Sequence, residues 1–471
     1  MVQQATSVPQ EELAPAIARI YAKQQAFFAS GQTRDYAFRK AQLQRLWDAV
    51  KAYEPRVMEA LYKDFRKPEF ETYGTELGTL YAEIRHTMSH LKRWMKPRRV
   101  KTPLPFLPSS SWTYRDPLGI TLIISPWNYP FLLMMHPLAS AMAAGNTMIL
   151  KPSEIAPHTE QVIVELIREY FDEEYIAVIT GDGLEVGKAL LENYHFDQVF
   201  FTGSVPVGRK IMEMASRHLS PVTLELGGKS PCIIEQDADL RFAAKKVAWG
   251  KFVNAGQTCV APDYLLVHAS VKDRFIDELK RVIRNMYGED PQKSPDYARI
   301  ISDKRFASLL TYLDNGKVVQ GGASDASERY IAPTILEAVK ADDPVMTEEI
   351  FGPILPVITF TSREEVLEWI GRSPYPLALY VFTSSTKTAD GYIEQIRFGG
   401  GCVNNTLIHL GNPDLPFGGV GNSGIGQYHG EHGFLAFSRV KSILRTPTWF
   451  DVPFWYAPYK GHLKLIRKIF R

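Results

Sequence analysis

At 471 residues the chain is too long for a single hydrophobic core, and a 45% hydrophobic fraction with 23% charged residues argues against extensive disorder. The net charge of +2 gives no general case for nucleic-acid binding. The three cysteines, Cys232, Cys259 and Cys402, stand far apart without C-x-x-C or Cys/His ligand spacing, which speaks against both a disulfide framework and a metal site and fits a reducing compartment.

The first residues, M-V-Q-Q-A-T-S-V-P-Q-E-E-L, hold no apolar run of the secretory kind, and no stretch of about 18 apolar residues follows that could span a bilayer. A cytoplasmic enzyme is the expectation. Residues 11–98 read as helical, with Leu43, Leu46, Val50, Val57 and Leu61 and then Leu77, Leu80, Ile84 and Met88 at helical spacing. The proline-rich run from Pro97 to Asp116 is expected as an extended connector or edge arm, excluded from any central strand because proline donates no ladder hydrogen bond. From Gly119 strands alternate with helices: G-I-T-L-I-I-S-P, then 146–150, 176–180 and 198–202, with helices over 132–144 and 161–170. That alternation predicts a parallel sheet with ligands at the C-terminal ends of its strands. After Gly228 a second α/β segment follows, with helices over 243–252 and 271–286 and strands over 264–268, 354–360 and 377–383. The tail from Trp449 is first aromatic, then cationic and amphipathic in K-G-H-L-K-L-I-R-K-I-F-R.

Two short stretches carry chemistry. F-V-N-A-G-Q-T-C-V-A-P (252–262) sets Cys259 in a turn-prone loop, and V-T-L-E-L-G-G-K-S (222–230) sets Glu225 near the end of a strand. A thiol on a loop and a carboxylate at a strand end suit a covalent step followed by hydrolysis. Alone, Cys259 could be a small buried hydrophobe and Glu225 an ion-pair partner of Lys229. Asn128 in S-P-W-N-Y-P-F could be a simple turn residue, and Lys151 in K-P-S-E a solvated strand end. In F-T-G-S-V-P-V-G (201–208) a strand runs into a helix start, whose N–H groups suit phosphate. Glu349 and Phe351 in E-E-I-F-G-P could form an ordinary acidic turn.

E-L-G-G-K followed by G-Q-T-C resembles the double signature of the NAD(P)-dependent aldehyde dehydrogenase superfamily. The resemblance runs from about residue 20 to 445, with four motifs in family order and no departure at a catalytic position. K-S-P-C, W-G-K-F, T-C-V-A-P-D-Y, P-F-G-G-V-G-N-S-G-I-G and Y-H-G are similar to the class 3 branch, which handles medium- and long-chain or aromatic aldehydes. It implies Cys259 as nucleophile, Glu225 as general base and Asn128 as oxyanion donor with the cysteine's own N–H. It implies NAD as cofactor, with NADP as an alternative, held by Lys151 and Glu154 at the adenosine ribose, Gly203, Ser204 and Gly208 at the phosphates, and Glu349 and Phe351 at the nicotinamide ribose and ring. Phe417 in L-P-F-G-G is expected at the substrate entrance, with core packing as the alternative. No metal is needed.

The implied architecture is α/β: a Rossmann-like parallel-sheet cofactor domain (1–97 and 119–226), a second α/β catalytic domain (227–425), and a β-hairpin oligomerisation arm (98–118 and 426–445). A homodimer is implied. The tail (446–471) departs from the pattern, because fatty-aldehyde relatives in this branch carry a spanning segment there. Its five Lys/Arg from Lys460 onward, interleaved with Leu463, Ile466, Ile469 and Phe470, suit a membrane surface, with packing over the substrate funnel or plain solvation as alternatives. Two other functions stay open: a CoA-acylating dehydrogenase, which the retained Glu225 disfavours, and a non-enzymatic protein on the same fold, which the intact set Asn128, Glu225 and Cys259 disfavours.

Overall fold

The computed structural model describes residues 10–451 and 455–470. Ile120–Ile124, Thr147–Lys151 and Gln198–Thr202 have apolar centres and are buried almost throughout, as strands covered on both faces are. They form the centre of a six-stranded sheet in the order 424–425, 222–225, 198–202, 120–124, 147–151, 176–178, parallel except for the first strand. A seven-stranded sheet runs in the order 317–320, 334–337, 354–360, 264–268, 231–234, 378–382, 400–403, parallel except for its first strand. The expected mixed α/β fold with parallel sheets is thus present.

The N-terminal helices are Gln10–Ala29, Tyr36–Phe65 and Gly78–Met95, with a short helix at Glu69–Thr72 and a π-helical stretch at Tyr73–Leu77 between the last two. Helix Leu240–Phe252 and helix Lys272–Tyr287 pack together beside the second sheet.

One expectation is corrected. Ser110–Pro117 is the middle strand of a three-stranded antiparallel sheet, between Arg98–Val100 and Ser438–Arg445. Pro103, Pro105 and Pro108 are confined to the connection before it, so S-S-S-W-T-Y-R-D keeps the N–H groups that a central strand needs on both sides. Within 426–445 only Ser438–Arg445 is strand, and Gly430–Ala436 is a helix. The strands Lys317–Gln320 and Thr334–Glu337 are additions to the elements expected from the sequence.

The tail forms a helix at Leu463–Ile469, and no helix among the described residues is long and apolar enough to cross a membrane. The reading of residues 1–9, and of Phe454 and Arg471 in the tail, falls outside the described residues.

Candidate active site

The loop that carries Cys259 begins where helix Leu240–Phe252 ends. Asn254, Ala255 and Gly256 all take left-handed backbone conformations, with φ of 53°, 51° and 75°. Glycine is required at the third, because a Cβ there would lie 2.3 Å from the Gly352 carbonyl oxygen. For the other two the conformation costs about 1–2 kcal/mol each. Hydrogen bonds hold the turn. The Asn254 N–H donates to the Glu71 carboxylate at 2.7 Å, and its Nδ2 donates to the carbonyls of Asn128 at 2.8 Å and Gln257 at 3.2 Å. Gln257 Nε2 donates to the carbonyls of Asn254 and Arg299, while its Oε1 accepts from the Ile301 N–H. The polar residues ahead of the cysteine are thus the buried scaffold of the turn.

Cys259 stands in the wall of a cavity of about 260 Å³. The lining is predominantly hydrocarbon, including Leu132, Trp249, Val260, Leu407 and Phe417. Burial pushes the Cys259 thiol up to about 12, the Glu349 and Glu225 carboxylates push the same way, and the N–H groups of Cys259 and Val260 oppose them. Glu225 ends the strand Val222–Glu225, in register with Thr202, and only 2% of it is exposed. Both its carboxylate oxygens are buried without a partner, and burial raises its carboxyl well above the ordinary range. The ion-pair alternative for Glu225 is excluded: Lys229 is bound instead to Asp263 and to the carbonyls of Val345 and Glu348.

Asn128 is buried immediately after the strand Ile120–Ile124, and its Nδ2 donates to the Gln257 carbonyl at 3.1 Å. One of its two amide hydrogens is therefore engaged by the cysteine loop and the other is left over. Phe417 lines the cavity and is buried, stacked on His429 at 5.2 Å and bonded through its backbone to Tyr428. Cys232 is buried in the second sheet, and Cys402 lies 3.5 Å from His409 Nδ1.

At the C-terminal edge of the first sheet, Lys151 Nζ donates to Glu154 at 2.5 Å, and Glu154 accepts the Gly183 N–H at 3.0 Å. Ser204 precedes helix Val205–Ser216 without capping it through its side chain, so the first-turn N–H groups stay free of a side-chain cap. At Gly203 a Cβ would meet the Phe201 ring at 2.5 Å, and at Gly208 it would meet Leu226 at 2.6 Å, so Gly208 serves close packing of that helix. The Glu349 carboxylate presses against Gly227 of E-L-G-G-K, where a Cβ would lie 2.1 Å from it, and burial pushes its carboxyl up to about 8. Phe351 takes a left-handed conformation, and its ring meets Trp127 at 5.3 Å. Ser125 and Thr202, at the ends of adjacent strands, carry buried hydroxyls without partners, as do both oxygens of Glu225. Orphaned acceptors and hydroxyls beside an uncapped helix start fit a phosphate-bearing, polyhydroxylated cofactor.

Lys67, Glu76, Glu71, Tyr129 and Asn254 also meet this site, and the sequence did not single them out as functional. Only Glu76 carries a local signal, a charged residue that continues the apolar helical spacing of Leu77, Leu80 and Ile84.

The aldehyde dehydrogenase family profile matches residues 3–443. The chain is similar to 4,4'-diaponeurosporen-aldehyde dehydrogenase of Staphylococcus aureus, at 47% identity over 95% of this chain and 97% of that one. It is 42% identical to the dimeric NADP-preferring aldehyde dehydrogenase of Rattus norvegicus, over 88% of this chain and 92% of that one. A solved structure of a substrate-bound Staphylococcus aureus AldH superposes with a TM-score of 0.94 at 46% identity, over 97% of this chain and 99% of that one. The chain belongs to the aldehyde dehydrogenase family, and it is an NAD(P)-dependent oxidoreductase that oxidises aldehydes to acids.

Proposed function

We propose that the chain oxidises medium- to long-chain aldehydes, with Cys259 as nucleophile, Asn128 as oxyanion donor and Glu225 as the base of the hydrolytic step. The observation that carries this reading is the cavity: a thiol in a mainly hydrocarbon wall, within the electrostatic reach of a buried carboxylate that no other group occupies.

The Cys259 S–H proton passes to water as the sulfur adds to the aldehyde carbonyl, and the new oxyanion takes hydrogen bonds from the spare Asn128 amide hydrogen and the Cys259 N–H. Donors of this kind are worth about 3 kcal/mol each. The bound nicotinamide supplies the hydride acceptor. Lys151 and Glu154 bind the adenosine ribose, the N–H groups after Ser204 bind phosphate, and Glu349 with Phe351 holds the nicotinamide end. Loss of the aldehyde hydrogen with its electron pair leaves a thioester on Cys259. Glu225 takes a proton from water as the water attacks the thioester, the carbon–sulfur bond breaks, and that proton returns to the Cys259 sulfur as the acid leaves. Glu154 already meets Lys151, so its charge is partly spent and NADP is accepted beside NAD.

The experiment is cofactor reduction across unbranched aldehydes from propanal to hexadecanal, with NAD and with NADP. Each added methylene that enters the cavity contributes about 0.8 kcal/mol, about fourfold in kcat/KM, until the cavity is full. A flat series, or activity confined to short aldehydes, rejects the chain-length reading and leaves the mechanism standing.

Two assembly features belong to the same reading. The strand Ser438–Arg445 is an exposed outer strand carrying Val440, Ile443 and Leu444, and a second copy of this chain covers it. The tail holds exposed Trp449, Tyr456, Tyr459, Leu463 and Phe470 beside Lys460, Lys464, Arg467 and Lys468, a composition that suits an anionic bilayer surface. The cavity lining contains no tail residue among the described residues. Light scattering is expected to give twice the 53.3 kDa chain mass both for the full chain and for a chain ending at residue 448. Only the full chain is expected to float with phosphatidylserine vesicles, and to detach in high salt. Equal flotation of the two rejects the tail as the anchor.

A further inference from the structure

Helix Leu132–Ala144 opens at Phe131, whose side chain offers no cap, after the rigid segment W-N-Y-P. The missing cap comes from another helix. Glu76 lies in the π-helical stretch Tyr73–Leu77, whose wider turn breaks the regular helical spacing, and the residue is 0% exposed. One carboxylate oxygen accepts the N–H groups of both Phe131 and Leu132 at 3.1 Å, and the other accepts from Lys67 Nζ at 2.8 Å. Lys67 is likewise 0% exposed, and its ammonium sits 4.2 Å from the centre of the Tyr129 ring. The Tyr129 hydroxyl is 2.6 Å from Thr258 Oγ1, and the preceding Asn128 reaches the preceding Gln257. Two consecutive residues of one loop therefore grip the two residues before Cys259 in parallel, and a buried ion pair stands behind that grip. Two charges moved out of water are expensive to keep, and a pair of apolar residues would fill the same space at lower cost.

We propose that Glu76 and Lys67 are positioning residues for the oxyanion site: they fix the 128–132 segment so that the Asn128 amide and the Cys259 loop hold one relative placement. Glu76 sets the backbone of residues 131 and 132, Lys67 sets the tilt of the Tyr129 ring, and the Tyr129 hydroxyl transmits that tilt to Thr258. Neither charged group touches the reacting atoms. This proposal rests on the reading of Asn128 and Cys259 given above, and its test separates the two.

The test uses the full-length enzyme, with kcat normalised to NAD sites counted by fluorescence titration so that misfolded protein does not count. Glu76→Gln is expected to lower kcat about tenfold to a hundredfold, the range in which a small misplacement of a reacting group falls, while the KM for NAD stays within about twofold. Tyr129→Phe, which keeps the ring and loses only the hydroxyl, is expected to lower kcat several-fold and covers the case in which Glu76→Gln does not fold. Asn128→Ala is run beside them. Because Glu76 acts through Asn128, the double variant Asn128→Ala with Glu76→Gln is expected to be no slower than Asn128→Ala alone, whereas a general weakening of the fold would multiply the two losses. Wild-type turnover per NAD site in both Glu76→Gln and Tyr129→Phe, with Asn128→Ala impaired, overturns the positioning role. Multiplicative losses overturn it too. Wild-type turnover in Asn128→Ala overturns instead the oxyanion reading on which it rests.

Discussion

Cys259→Ala is expected to lower aldehyde-dependent reduction of NAD or NADP by at least about 10⁴-fold, in keeping with what the loss of a covalent nucleophile costs elsewhere. The cofactor's own affinity, measured by fluorescence titration, is expected to stay within about twofold, because the residues assigned to it lie at the strand ends and on the Glu349 loop. Retained turnover in the variant would place the covalent step elsewhere. The wild-type thiol makes a second, independent prediction. Burial, then Glu349, then Glu225 push it up to about 12 in the cofactor-free protein. At neutral pH it is therefore held as the thiol. Alkylation of Cys259 by iodoacetamide, followed on its own peptide so that Cys232 and Cys402 do not interfere, is expected to climb about tenfold per pH unit from pH 7. The slope softens above about 8, where Glu349 ionises and its charge opposes the thiolate more strongly. A plateau near the ordinary thiol value of about 8.5 would mean that the cavity does not desolvate the sulfur.

The parts of this site legible in the sequence are those whose partners lie close by in the chain. The strings around Cys259 and Glu225 stand out because each matches a family motif within a few consecutive residues, and the parallel sheets follow from apolar runs alternating with helical spacing. The support behind them was not legible. Glu76 meets Phe131 across 55 residues, and Asn254 meets Glu71 across 183, so no window of sequence holds both partners. Lys67 and Glu76 read as ordinary charges, and only the closed fold makes them a buried pair. Gly208 illustrates the converse. A glycine at a helix start after a strand suggests phosphate, whereas here the missing Cβ makes room for Leu226. The prolines before Ser110 misled for a related reason: composition averaged over 97–116 hid eight consecutive donor-bearing residues after the last of them.

Glu225→Gln is the sharper test of the second half of the reaction. Its carboxylate has no hydrogen-bond partner, and burial holds its carboxyl well above the ordinary range. The amide has nearly the same shape and cannot accept a proton from water. A single burst of NADH, at most one per Cys259, is expected on mixing with aldehyde, followed by a steady rate lower by about 10²–10⁴-fold. Hydroxylamine should then release the trapped acyl group, since it attacks a thioester without needing a base. If free CoA raises turnover in the wild type as well as restoring it in the variant, the CoA-acylating alternative gains what the retained carboxylate now denies it. If the burst itself vanishes, Glu225 acts earlier, in taking the proton from the Cys259 thiol. The same substitution has a stability signature of fixed sign. A carboxyl whose folded pKa is raised gives stability below its unfolded value of about 4.5 and loses it as pH rises through the folded value. Glutamine does not titrate. The apparent melting temperature of Glu225→Gln, at one scan rate and without cofactor, is therefore expected to gain on the wild type by a few degrees between pH 5 and pH 8. A constant difference across that range would mean that Glu225 finds a partner in solution, and an unpartnered base would no longer explain the hydrolytic step.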